Sequence, residues 1–600
     1  MRLILTNERA LPTFLRQARG DGVEGLAVFG DIAVESARMI EDAQIVRVSV
    51  SWTSDSREEF LKKYIDLIAE IGHEKGRQAR EWWASHTASK NRFVSRMVDS
   101  LEQLLTVKHA VEEGYETLIV IGCDPQILPV VRSMGVDVIN GGGIRKQAER
   151  FLLARLLNLG GVLCAVGRVL WRRQYARSLL SRSLRPVLSK EKPFYAVKTF
   201  IYPRSFSGEG AYDDSTFGRL PEFLAGAGKN VIVVGLILKN YRECVRAIEK
   251  CRDTLIVPVE MYVSIREVML DAWRVLSRRA VVEKDHYIEG INVTPLINAE
   301  LRRSFNNICP FQYLHHAFVR GLLRKASIEC FIQTCENNPW ERMSIMALRK
   351  YSPSTRILGY QHAVVPQASA NMFAGAGETS VAPLPDMILT TGAEPRRIME
   401  RYGDYRESQL TESCGLRYEY LQDLPEQDRR RSGRTVLLAL EGIPAVCRMV
   451  EYVLREIGSL DEYDIIVRTH PVLSFDEIRK LISRDVLSEA KYRISKGVDL
   501  RADVDAADAV IYWGTTVSME ALKAGKPVIH FDTGSVLSYD PLFECSSLKW
   551  KVSERDSLEG ILREVFALND DEYKNQAGNA RSYLSEYFYP VTSGTLARFL

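Results

Sequence analysis

Residues 509–531 read AVIYWGTTVSMEALKAGKPVIHF. An apolar run stops at Gly514, Thr515 and Thr516 follow, a short helical pattern comes next, and a second apolar run resumes after Gly525-Lys526-Pro527. Short apolar runs on either side of a helical pattern predict a strand–helix–strand unit of a parallel sheet. Gly514 allows the tight corner, and Thr515 or Thr516 is placed to cap a helix that starts near Val517, with Ser518 in its first turn. A corner of this kind turns unpaired N–H groups and a partial positive charge toward whatever lies above it, which suits a phosphate. Glu520, one turn in, is placed for a capping box or for a ribose hydroxyl. An ordinary strand-to-helix cap accounts for the same residues.

The alternation extends through the last 165 residues, with TVLLALEG (435–442), DIIVRTHP (464–471) and PVIHF (527–531) as further strands. DIIVRTHP ends on Arg468, Thr469, His470 and Pro471, and the proline holds His470 extended at the carboxyl rim of the sheet. A histidine there can donate to a phosphate oxygen. TVLLALEG ends on Glu441-Gly442, which places a carboxylate on the same rim. Glu, His and the Thr pair therefore follow three strands of one domain.

Further toward the N-terminus, apolar runs predict strands at 194–202, 230–237, 254–262, 328–334, 356–362 and 387–392. CENNPWERM follows the fourth of these and GYQHAVVP spans the end of the fifth, so Glu336 and His362 are expected to face the crevice from the opposite domain. The stretch YPRSFSGEGAYDDSTFGRLPEFL (202–224) reads as a long mobile loop, with Arg204, Asp213 and Asp214 available to sugar hydroxyls. Asp213-Asp214 has no spaced second ligand set, so no metal is expected there. Residues 1–150 carry three more strand signals, GLAVFG (25–30), TLIVIG (117–122) and VDVINGG (136–142), but neither GxGxxG nor a Walker lysine.

The predicted fold class is α/β. Two Rossmann-like domains, 193–425 and 434–600, face a cleft; 1–150 is an additional N-terminal α/β domain and 151–192 a basic amphipathic connector. A chain of 600 residues exceeds what one core supports. Lys plus Arg number 80 against 77 for Asp plus Glu, which argues against a dedicated nucleic-acid binder. The ten cysteines are scattered without CxxC pairs, as in a reduced cytoplasmic protein. MRLILTNERALPTFL is too short and polar for a signal peptide, and no run of 18 uncharged apolar residues occurs. FLLARLLNLGGVLCAVGRVLW (151–171), followed by a segment rich in cations, has two readings. One is a buried connector helix with a basic exposed end; the other is an interfacial helix at the anionic inner face of a membrane.

The order LEG, RTHP, WGTTVSMEALKAGKPVI resembles bacterial surface-polysaccharide glycosyltransferases of the two-Rossmann, GT-B architecture, the capsule sialyltransferases and Kdo transferases among them. SKNRFVS near residue 90, ENNPWERM (336–343) and GYQHAVVP (359–366) extend the likeness to surface carbohydrate biosynthesis proteins over most of the chain. The resemblance implies transfer of a sialic acid- or Kdo-like sugar from a CMP-type donor to an oligosaccharide or glycolipid, without metal or other cofactor. His470 and Thr515/Thr516, with Gly514, Ser518, Glu520, Gly442 and Arg468 around them, would hold the nucleotide. Glu441 would be the general base or orient the acceptor, with Glu336 and His362 opposite. One acidic residue precedes Gly442 where those enzymes carry two. A nucleotide-sugar 2-epimerase and a non-catalytic scaffold of a polysaccharide-assembly complex are the alternatives.

Overall fold

The structure, a computed structural model, describes residues 1–6, 25–28, 46–48, 50–121, 123–140, 147–184, 188–207, 210–277, 280–304, 309–424, 433–495 and 499–600. Phe29, Gly30, Gly122, Gly141 and Gly142, where the three N-terminal strand signals end, lie outside the described residues. So do 425–432, at the junction of the two predicted Rossmann-like domains, and 185–187 of the basic segment.

The apolar runs become three parallel sheets. The first holds β1 (Arg2–Thr6), β2 (Gly25–Val28), β3 (Val46–Arg47), β4 (Thr117–Ile121) and β5 (Asp137–Asn140), in the order β3-β2-β4-β1-β5. The N-terminal residues thus form an interior strand, paired in parallel with both β4 and β5.

The second sheet is built from β6 (Phe194–Phe200), β7 (Asn230–Leu236) and β8 (Ile256–Pro258). An antiparallel hairpin, β9 (Tyr287–Ile288) and β10 (Ile291–Asn292), follows outside it. The sheet continues with β11 (Ile328–Thr334), β12 (Arg356–Tyr360), β13 (Met387–Thr390) and β14 (Leu410–Glu412). Its order, β8-β7-β6-β11-β12-β13-β14, is the doubly wound order 3-2-1-4-5-6 with one strand added.

The third sheet repeats the order with β15 (Thr435–Ala439), β16 (Asp464–Arg468), β17 (Arg493–Ile494), β18 (Ala509–Tyr512), β19 (Val528–Phe531) and β20 (Lys549–Val552), arranged β17-β16-β15-β18-β19-β20. Every residue of β18 and β19 is buried, as strands covered on both faces must be. The fold is therefore α/β with two Rossmann-like domains. Each has one switch point, where crossovers diverge to opposite sides: between β6 and β11 in one domain, between β15 and β18 in the other. After the helix Asp570–Tyr587, the last residues return to the second sheet: Tyr589 N donates to Thr391 O at 2.8 Å, and Tyr195 Oη donates to Leu600 O at 3.0 Å.

The helices between β3 and β4 pack on both Rossmann-like domains. Arg57, in the helix Ser54–Lys75, donates to both carboxylate oxygens of Asp532 at 3.0 Å, a buried pair with the third sheet's domain. Toward the second sheet, Lys90 and Arg342 both pair with Glu378, and all three side chains are at most 2% exposed. Arg342 Nη1 also donates to Ala88 O at 2.7 Å, and its guanidinium lies over the Trp83 ring.

The connector segment forms the inner part of a 38-residue helix, Gln147–Leu184. Val162, Val166, Val169, Ala176 and Leu180 are buried at helical spacing along one face, against the helices Tyr241–Lys250 and Ile265–Ser277. Among the described residues no helix is long and apolar enough to cross a membrane.

Candidate active site

The switch point between β15 and β18 carries Glu441. Gly514 N donates to Glu441 Oε1 at 2.5 Å, joining the two strand ends. Glu441 Oε2 is buried and has no hydrogen-bond partner. Burial lifts this carboxyl to about 7, although the neighbouring backbone N–H groups, Gly514's first, favour its charged form. A carboxyl with one free, buried oxygen that titrates near neutrality has the properties of a general base.

Gly442 brings His470 against Glu441's strand. A methyl group at 442 would lie 2.8 Å from His470 Nδ1 and 2.5 Å from Val472 Cγ2, so only glycine lets the β15 and β16 ends approach this closely. Val472 N donates to His470 Nδ1 at 3.3 Å; the neutral imidazole then carries its proton on Nε2, on a side chain open to solvent. Gly442→Ala is expected to displace the His470 and Val472 side chains and to cost about 1–3 kcal/mol of stability, as measured by urea melts.

Gly514 is pinned from the other side, where an added Cβ would meet Tyr539 Cβ at 2.9 Å. Thr516 occupies the N-cap position of the helix Val517–Lys523 in an αR conformation and makes no side-chain capping bond. Thr515 Oγ1 accepts only a long bond, 3.4 Å, from Val517 N. The expected side-chain cap is thus absent, and both hydroxyls stand half-exposed at the switch point. Ser518, by contrast, is buried and donates to Thr515 O at 2.8 Å, which shapes the turn.

Two expected nucleotide contacts are engaged within the protein. Arg468 pairs with Asp503 and also donates to Asp499 O at 3.3 Å, so it ties the end of β16 to the helix Leu500–Ala506. Glu520 forms no capping box; it accepts a 2.9 Å bond from Tyr420 Oη, in the segment that leads from one Rossmann-like domain to the other. Burial raises the Glu520 carboxyl, against that hydroxyl and the Arg468 charge.

Across from this group, the β11 end presents Glu336. Its loop is held by Glu341, whose Oε2 accepts from Glu336 N and Asn338 N at 3.0 Å and whose Oε1 accepts from Thr334 Oγ1 at 2.6 Å. His362 Nε2 lies 3.6 Å from Glu336 Oε1, and its Nδ1 is buried without a partner. Burial lowers the His362 pKa despite the Glu336 charge, and Arg417 adds to the lowering, so the imidazole is neutral at pH 7. Gln361, next to it, is structural: its Oε1 accepts from Thr391 N at 2.9 Å. Asp214 is structural too. It is buried and accepts from Thr199 Oγ1, Tyr212 Oη, Thr216 N and Phe217 N, each at 2.9 Å, so residues 212–217 of the 202–224 stretch are held in place and Asp214 is not available to a sugar, while 208–209 lie outside the described residues.

No direct bond among the described residues joins Glu441 and His470 to Glu336 and His362. The turn after residue 89 touches both Rossmann-like domains: Asn91 Nδ2 donates to Asn338 Oδ1 at 3.1 Å, and Arg92 Nη1 donates to Ser535 Oγ at 3.0 Å and to Leu537 O at 3.2 Å. The Arg92 guanidinium lies over the Tyr539 ring, which stands edge-on to Trp513, and Phe93 lies exposed beside Tyr539. Arg92 lies in the SKNRFVS stretch, whereas Tyr539 and Tyr420 carry no local motif in the sequence that would have marked them. The one cation-ligand grouping among the described residues, Glu70, Glu74 and His286, lies on other elements, on the Ser54–Lys75 helix and before β9.

No family model matches the chain, and no curated protein matches it. Solved structures align with 68% of its length. They include UDP-GlcNAc 2-epimerase from Neisseria meningitidis bound to UDP-GlcNAc, at 11% identity, 99% of that chain and TM-score 0.39. They also include the UDP co-structure of S. aureus MnaA, at 9% identity, 94% of that chain and TM-score 0.41. A third is MurG from Acinetobacter baumannii, at 11% identity, 98% of that chain and TM-score 0.37.

Proposed function

We propose that the chain is a glycosyltransferase that needs no metal and moves a sugar from a nucleotide donor, CMP-linked and sialic acid- or Kdo-like, to a surface polysaccharide or glycolipid. The 151–192 region meets an anionic membrane in this reading, at the inner face of a bacterial cell. The observation that carries the chemistry is Glu441: a carboxyl lifted to about 7, with a free buried oxygen, at the switch point of a doubly wound sheet.

The acceptor hydroxyl gives its proton to the Glu441 carboxylate as its oxygen forms a bond to the donor's anomeric carbon. The bond from that carbon to the phosphate oxygen breaks, and its electron pair leaves with the nucleotide. His470 Nε2–H and the Thr515 and Thr516 hydroxyls are placed to receive the phosphate, the role a cation would otherwise fill. Glu336 and neutral His362 orient the acceptor from the opposite wall.

The second reading, a nucleotide-sugar 2-epimerase, is favoured by a different observation: acid–base groups stand on both domains, Glu441 on one and Glu336 with His362 on the other. An epimerase returns a free sugar or nucleotide sugar without any acceptor. The test is a thermal-shift and calorimetry panel of CMP, CDP, UDP and GDP on wild type and His470→Ala. Stabilisation by CMP, lost in the variant, is the expected result. Stabilisation by UDP alone moves the weight to a UDP-sugar enzyme, and no response to any nucleotide leaves the scaffold reading.

A further inference from the structure

The helix Ile265–Ser277 is apolar on two sides. Val268, Ala272 and Val275 are buried, while Ile265, Met269, Leu270, Trp273 and Leu276 face solvent. Met269 is 52% exposed and Trp273 56%. A helix apolar over so wide an arc belongs in an interior, and here part of that arc has no cover among the described residues. The helix Gln147–Leu184 packs beside it: Arg173 Nε donates to Val263 O at 2.7 Å, immediately before the shorter helix begins. The long helix adds Leu159, Leu163 and Trp171 to the exposed apolar surface. Single exposed apolar side chains are ordinary, but eight on two neighbouring helices mark a contact surface.

Its charge identifies what it contacts. Arg168, Arg177 and Arg266 are exposed on these two helices. No acidic residue occurs between 151 and 190. The two acids of the shorter helix are occupied: Glu267 accepts from Arg320 Nη1 at 2.6 Å, and buried Asp271 from Arg274 Nη1 at 2.7 Å. A second copy of the chain on a twofold axis would set this one-signed face against itself, which disfavours self-association. An apolar stripe with tryptophan, flanked by arginines, with no acidic residue in 151–190 and both acids of the shorter helix paired, fits the boundary between headgroups and acyl chains.

We propose that these two helices form a peripheral docking face for an anionic lipid bilayer. Trp273, Met269 and Leu270 enter the interface and the arginines meet lipid phosphate. The proposal specifies the face behind the membrane contact of the glycolipid reading above, yet its test does not involve the donor site.

Co-sedimentation of the full chain with vesicles tests it, comparing phosphatidylglycerol–phosphatidylcholine mixtures with pure phosphatidylcholine. Wild type is expected to pellet with the anionic vesicles and to be released at high salt. Binding should fall at least tenfold in Met269→Glu/Trp273→Glu and in Arg168→Glu/Arg266→Glu. Both variants alter exposed side chains and should keep the wild-type unfolding midpoint and nucleotide response. The proposal is overturned if wild type stays in solution with anionic vesicles, or if the Met269/Trp273 variant binds them as wild type does. A wild-type dimer that this variant dissociates, in a chain that ignores vesicles, would assign the face to self-association instead. Vesicle binding without any nucleotide response would sink the transferase reading alone.

Discussion

Glu441→Gln is expected to lower kcat by about 10²–10⁴ while making the protein more stable above neutral pH. The rate loss follows if, as proposed, Glu441 is the group that takes the acceptor proton. In wild type the carboxyl must be ionised to act, so kcat should rise with pH up to about 7 and level off above it. The stability gain has the same origin. Burial moves this carboxyl from 4.5 to about 7, so between those values the folded chain holds a proton that the unfolded chain has released. Stability contributed by the neutral acid is present below pH 4.5 and is lost as pH rises through about 7, a loss of roughly 3 kcal/mol. Glutamine carries no charge and escapes that loss. Urea melts at pH 8 and pH 4.5 should show the variant ahead at pH 8 and level with wild type at pH 4.5. A variant that is slow but never more stable would show that Glu441 is not held near neutrality by burial.

The second large effect concerns Glu378. It accepts from Gly375 N at 2.9 Å and pairs with Lys90 and Arg342, each 1% exposed. Glu378→Ala leaves two cations buried without their anion, which costs about 3–5 kcal/mol, a large part of a typical folding free energy. Burial lowers the Lys90 pKa and the Glu378 charge opposes that lowering. Without Glu378, Lys90 folds more readily as the free amine, so the loss should be smaller at pH 9.5 than at pH 7. The exposed Lys62–Asp66 pair, 3.2 Å apart, is the control: Lys62→Ala should change the unfolding free energy from urea melts by less than about 0.5 kcal/mol. Equal losses in the two variants would mean that the buried network adds nothing beyond a surface pair.

Much of the architecture is legible in the sequence because parallel strands covered on both faces must be continuous apolar runs. IECFIQT coincides with β11, and AVIY and VIHF with β18 and β19. The strands that carry no such signal are short edges. Arg493–Ile494 and Leu410–Glu412 pair on one side only, and two or three residues make no pattern. The run 254–262 shortens to Ile256–Pro258, because after Val259 N donates to Gly235 O at 3.1 Å the chain turns over residues 259–262.

The rim residues were readable for a related reason: a strand end fixes the position of whatever follows it. Glu441, His470, Gly514 and Glu336 all come directly after strands. What those residues bond to was not readable. Asp503, the partner of Arg468, is 35 residues away, and Tyr420, the partner of Glu520, is 100 residues away. Arg92 and Ser535 are 443 apart. The open face of Ile265–Ser277 was hidden for the opposite reason: an amphipathic pattern reports that a helix has an apolar side, and not whether anything covers it.

The Ser54–Lys75 helix and the turn after residue 89 tie both Rossmann-like domains, through Arg57 to Asp532, Lys90 to Glu378 and Asn91 to Asn338. For the two domains to rock about the 416–424 segment, at least one of these links would have to break and reform. The spacing of the walls is therefore fixed when the chain folds and not when ligand arrives. A ligand entering such a receptor spends little binding energy on closure, and selectivity comes from the shape of the gap more than from motion around the guest.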